Sequence, residues 1–217
     1  MVFTLTTSWL FFRTFFLYGF ADMRGFFNLF PWVFLFVLPA ITMGLWAEEK
    51  RSGTIELLLT LPVSDYEVII GKFLAAISIV VISFVMTIPV AYYVNKLGAD
   101  DLGPIIGGYI GGILLAAVYI SIGMFISSLT QNQIIAYILT VVVCFIFLIA
   151  GEPLVLFTIP RSIVPIVEYL SFTSHFEHIG RGVLDSRDIV YFFSLIILFL
   201  TFNSAVLETR KWGKIRR

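Results

Sequence analysis

Charge is scarce in this chain. Charged residues make up 13% of its 217 positions, against about 25% in soluble domains. The 14 basic and 14 acidic residues cancel to a formal net charge of zero. A neutral chain has no electrostatic footprint for nucleic acid, which is excluded as an expected partner. Cysteine is nearly absent. The one thiol, Cys144, sits inside an apolar run, so it has no internal disulfide partner and leaves the redox compartment open. No cationic segment with a cleavage site opens the sequence, and no signal peptide is read. A phosphate-binding loop of the Gly-x-x-x-x-Gly-Lys-[Ser/Thr] type is also missing: Gly71-Lys72 lacks the first glycine and runs into Phe73. By that route this chain binds no ATP.

Apolar residues are abundant, at 59%, and the mean hydropathy is +1.01. The few charges cluster between long apolar runs. That pattern predicts an all-α membrane protein forming one domain over residues 1–217. Six spans are expected, at about 1–21, 25–47, 68–94, 105–126, 134–150 and 189–207. Residues 102–151 hold no charge over 50 positions. As one helix they would extend about 75 Å, so they must fold back. Ser127-Ser128-Leu129-Thr130-Gln131-Asn132-Gln133 is the predicted break, with Thr130-x-x-Gln133 read as a capping box. Pro39 should kink the second span, and Trp32 and Trp46 fall where interfacial aromatics belong. Arg13 interrupts the first span, and displacement toward an interface is the simplest way to accommodate it. That span opens without a charged flank, which suggests a start upstream of Met1.

Residues 48–67 stand between the second and third spans. Ile55, Leu58, Leu59 and Leu61 fall mostly on one helical side, with Glu48, Glu49, Arg51 and Thr60 expected to meet water. Pro62 stops this amphipathic helix, predicted over 48–61. Ser64-x-x-Glu67 then reads as a capping box that starts the third span. An amphipathic helix, a stop and a firm restart form an elbow that a soluble partner could push on.

Gly107, Gly108, Gly111 and Gly112 in the fourth span give two overlapping small-xxx-small pairs, suited to internal helix packing or to a subunit interface. Residues 152–188 carry Pro153, Pro160 and Pro165. The pieces 154–159 and 163–170 are too short to span and suit re-entrant or interfacial helices. His175-x-x-His178 with Glu177 between does not match a His-Glu-x-x-His zinc motif, and two histidines are a thin ligand set. Polar contacts in an outer gate built on His175, Phe176, Glu177 and Arg181 are the expected role. Neither a catalytic nor a metal-binding residue is assigned. Basic residues orient the chain. The elbow, the 127–133 turn and the C-terminus share a side in a six-span chain; that side holds eight basic residues against five, and is placed in the cytosol.

The stretch Met43 to Ser64, with Glu49-x-x-x-Gly53-Thr54-x-Glu56-x-Leu58-x-x-x-Pro62-Val63 at its heart, resembles the ABC-2 type permeases, the membrane halves of ATP-binding-cassette transporters. The likeness is strongest to the branch containing gliding-motility and nitrous-oxide-reductase maturation permeases. Ser128 to Gln133 matches too, as do Ser174 to Glu177 and Arg181 to Asp185. The resemblance implies a six-span subunit that dimerises with a second copy or a related permease in the plasma membrane. It implies that 48–61 is the coupling helix, docked on a separate ATPase subunit that holds ATP and Mg. Glu48, Glu49, Arg51, Gly53, Thr54, Glu56, Leu57, Leu58 and Pro62 would form that contact. The capped start of the third span would then carry the motion into the bilayer. A membrane anchor for an ATPase in a larger machine, moving no solute, is the alternative. Substrate and direction are not legible.

Overall fold

The computed structural model describes residues 2–18, 23–60, 62–98, 102–183 and 185–215. Residues 1 and 19–21 of the first predicted span, Leu61 of the elbow, Asp100 and Asp101 of the following turn, Leu184, Arg216 and Arg217 lie outside them. Among the described residues there are thirteen helices and no strand. They are α1 (Val2–Tyr18), α2 (Met23–Phe27), α3 (Phe30–Thr42), α4 (Gly44–Ser52), α5 (Thr54–Thr60), α6 (Asp65–Val85), α7 (Ile88–Gly98), α8 (Leu102–Leu129), α9 (Gln133–Ile149), α10 (Pro153–Thr158), α11 (Val164–Leu170), α12 (Phe172–Gly180) and α13 (Ser186–Ile215).

Among the described residues, four helical runs are long and apolar enough to cross a membrane: Met23–Ser52, Asp65–Lys96, Leu102–Leu129 and Ser186–Thr209. The apolar helix α9, at 17 residues, lies at the lower limit of about 17 needed to span. In α1, also 17 residues long, Arg13 is exposed on the surface of the bundle.

α8 is the axle. Every residue from Leu115 to Met124 is buried, and α3, α6, α9, α12 and α13 all pack on this helix. Its glycines make the close approach possible. A Cβ at Gly108 would run into the Phe27 ring, and one at Gly112 would stand 2.9 Å from the Phe30 and Phe84 rings. Phe27, Phe30, Phe34, Phe84 and Tyr109 form one aromatic block there, with Phe30 and Phe84 stacked at 5.0 Å and Phe27 edge-on to Tyr109 at 5.2 Å. Such contacts add to the burial of the rings themselves. The adjacent stripe faces α12: a Cβ at Gly107 would strike the Ile179 carbonyl, and one at Gly111 would lie 2.9 Å from the Ile179 side chain. The glycine pairs thus seat neighbours within the same chain.

The breaks in the long runs have local causes. Pro89 stands second in α7 and has no N–H to continue the ladder of α6, so the run bends at Met86–Thr87. Between α3 and α4 the bend lies at Met43, four residues after Pro39. α6 starts as the sequence predicts, with Ser64 N donating to Glu67 Oε2 at 2.9 Å and Glu67 N to Ser64 Oγ at 3.3 Å. The start of α9 differs from the expected Thr130–Gln133 box. Asn132 caps it, accepting from Ile134 N at 2.9 Å, and Thr130 Oγ1 accepts from Asn132 N at 3.1 Å. The Gln133 amide lies beside Gly44 instead.

Candidate functional site

The elbow is two helices rather than one. α4 continues α3 as far as Ser52, and Gly53 then turns in the left-handed region at φ 75°. Only glycine takes that conformation without a steric penalty. α5 starts again at Thr54. Ser52 Oγ and Thr54 Oγ1 lie 2.9 Å apart across the turn, and Ser52 Oγ donates to Glu48 O at 2.9 Å. The expectation of one amphipathic helix over 48–61 is corrected in this respect, because the Gly53 conformation interrupts the helical ladder.

The predicted contact residues divide into two groups. Glu48, Arg51, Gly53, Thr54, Glu56 and Pro62 are exposed, and Leu57 is 70% exposed. Leu58 is half-buried and packs against the core, while Ile55 is buried. Glu49 turns inward, against the expectation that it meets water. It pairs with Lys72 of α6, whose Nζ also donates to Leu45 O at 2.6 Å and stands 4.5 Å over the Trp46 ring. Trp46 is fully buried against the rest of the chain, and Lys50 is buried with its Nζ on Ser128 O at the end of α8. Last-turn carbonyls lack helical partners and carry partial negative charge, so a lysine there satisfies both. Ser127 Oγ completes this end. It accepts from Trp46 N and Ala47 N, both at 3.1 Å, and donates to Met43 O at 2.8 Å. No such contact was expected of Lys72 or Ser127 from the sequence: the partners lie 23 and 84 positions away, beyond any local pattern.

At the opposite end of α8, α12 runs between the helices. Phe172 packs on Tyr119 at 5.4 Å and stacks on Phe147 at 4.9 Å, and Thr173 Oγ1 donates to Leu148 O at 3.0 Å. Gly182, at φ 87°, closes against Gly103 and Pro104 at the start of α8. The buried His175 ring stacks on Tyr191 at 3.9 Å. Its Nδ1 lies 2.6 Å from Asp188 Oδ1, and its Nε2 lies 2.9 Å from Tyr169 O. The ring is thus held at both nitrogens, by the Asp188 carboxyl on one side and the Tyr169 carbonyl on the other. His178 Nδ1 stands 3.5 Å from the other Asp188 oxygen.

Phe176 is buried, whereas Glu177 and Arg181 are exposed and pair at 3.3 Å. A cleft of about 180 Å³ opens beside them, lined by Arg24, Phe27, Asn28, Glu177, Gly180 and Arg181. Among the described residues no group of three or more His, Cys, Asp or Glu side chains is arranged to hold a metal ion. α10 and α11 bury none of their side chains and expose Leu154, Phe157, Ile166 and Tyr169.

The family profile described as ABC-2 family transporter protein matches residues 14–207, which include the elbow, the α8–α9 turn and α12. No protein of curated function matches the chain.

Proposed function

The chain belongs to the ABC-2 transporter family, and on that premise we propose that it is the permease subunit of an ABC transporter, driven by a separate ATPase through the elbow. One observation carries the reading. α5 and the end of α4 present Glu48, Arg51, Thr54, Glu56 and Leu57 together to the outside, on a chain that is otherwise a bundle of apolar helices. Charged residues around one exposed leucine suit a docking contact: the apolar anchor supplies affinity and the charges supply register. ATP and Mg are held by the ATPase.

In this reading six helices cross the plasma membrane, the four long runs joined by α1 and α9. Elbow and C-terminus face the cytosol, where the basic residues concentrate. Two permeases associate, and α10 to α12 gate the path at the outer side. The exposed apolar residues of α10 and α11 rest in the headgroup region.

The test is co-expression with candidate ATPases, pull-down and an ATPase assay. Retention of an ATPase that Leu57→Asp or Glu56→Arg abolishes, in a chain that still folds, supports the reading. Retention unaffected by both changes removes the elbow as the contact. ATPase retention without movement of any solute leaves the anchoring alternative.

A further inference from the structure

We propose that Ser127 is the positioning residue that ties the elbow to α8, and that α8 is the element which carries elbow displacement to α12. This deepens the permease reading above and rests on it.

The tie is a hydroxyl set into a helix break. In an unbroken helix Ala47 N would bond to Met43 O, four residues back. Here the Ser127 hydroxyl stands between them, taking the Ala47 and Trp46 N–H groups and giving its own proton to Met43 O. Insertion of a side chain into the ladder is a recognised cause of a kink, and it welds the α3–α4 joint to the end of α8. Ser127 is fully buried, so water does not compete for these bonds. Two neighbours reinforce the weld. Lys50 holds Ser128 O one position along, and Gly123, one turn back, lets the Thr42 side chain lie flush against α8. Residues 123, 127 and 128 therefore form one stripe directed at the α3–α4 joint.

Gly107 and Gly111 seat α12 about 20 residues further up the same helix, some 30 Å away at 1.5 Å per residue. Between the two contacts Leu115 to Met124 are buried on every side. A close-packed helix shifts as a body rather than bending. Displacement entering through α5 and α4 thus reaches α12 along α8. The capped start of α6 is a poorer route, since Ser64, Tyr66 and Glu67 are exposed. Lys72 makes the tie to α6 further along, through Leu45 O and Glu49.

The test uses the chain assembled with its ATPase, on a Cys144→Ser background carrying Glu177→Cys as a thiol reporter on the exposed side of α12. The readout is the rate of maleimide labelling with and without Mg·AMP-PNP. Nucleotide should change the rate in the Ser127 parent. Ser127→Ala should retain the ATPase yet lose that change, because the freed Met43 O and Ala47 N can then bond each other and release α8. Ser127→Thr, which keeps a hydroxyl, should restore it; a merely structural role would not separate binding from response in this way. Lys50→Met provides a second variant that leaves Ser127 in place, and it should weaken the change. A full nucleotide response in both Ser127→Ala and Lys50→Met overturns the proposal while the permease reading stands. A parent that holds the ATPase but shows no response overturns the proposal too. A parent that holds no ATPase overturns the functional reading and the proposal together.

Discussion

Glu49 of α4 and Lys72 of α6 form an ion pair across 23 positions of sequence, with side chains only 28% and 16% exposed. The sequence resemblance leads one to expect Glu49 at an ATPase contact, yet its carboxylate bridges two helices of its own chain. Glu49 and Leu57 should therefore behave differently when changed. Glu49→Ala should lower the stability of the isolated chain by about 1.5–3 kcal/mol, the range for a hydrogen bond to a charged group. Leu57→Ala, at a surface position, should leave it within about 0.5 kcal/mol and weaken ATPase association instead. Unfolding in detergent, followed by exposure of the buried Cys144 thiol, separates the two. Equal loss of stability in both variants would contradict the assignment.

The glycines of α8 and α6 differ in the same way. Gly108→Val places methyl groups in the Phe27 ring and should destabilise by about 1–3 kcal/mol or more, the cost of overpacking. At Gly71, on α6, nothing lies within 4 Å of an added Cβ. Gly71→Ala should stabilise by roughly 0.5–1 kcal/mol through helix propensity. Thermal denaturation of the purified variants decides both signs.

His175→Ala should be among the most destabilising single changes near α12. It leaves the buried Asp188, 3% exposed, without its 2.6 Å partner and facing only His178 at 3.5 Å, a loss of about 3–5 kcal/mol for breaking a buried pair. Removing both partners together, as in His175→Phe with Asp188→Leu, should recover much of it. A double-mutant cycle read by unfolding measures the coupling, and additive losses would show that the two side chains act independently.

Ser64→Ala removes one half of the box that starts α6. The expected loss is about 1 kcal/mol. Because Ser64 and Glu67 are exposed, the effect should stay local. Faster amide exchange confined to the first turn of α6 is the signature, and exchange that spreads into α8 would show that this cap supports the whole bundle.

The helices themselves were legible because membrane spans leave a coarse mark: long uncharged runs broken by Asp, Lys, Pro and Gly. So was the α6 cap, whose partners lie three residues apart. The α9 cap was misplaced by two residues, since Thr130, Asn132 and Gln133 all offer capping atoms and only the packing of Gln133 beside Gly44 leaves Asn132 to serve. The elbow was located correctly but drawn as one helix, because helical periodicity does not register a single left-handed glycine.

By itself the sequence determined an all-helical membrane chain, the place of the elbow, the short helices after α9 and the family. All are properties of composition and local spacing, which act over a few residues. Tertiary structure alone decided that Glu49, Trp46 and Lys50 turn inward, that the α8 glycines seat α12 and the phenylalanine block, and that His175 meets Asp188. These depend on which helices lie side by side. A fully apolar helix such as α8 carries no periodic stripe to say which of its faces meets which neighbour. That choice is made by shape, where a missing Cβ admits a ring, and by the few buried polar groups that must find partners across the bundle.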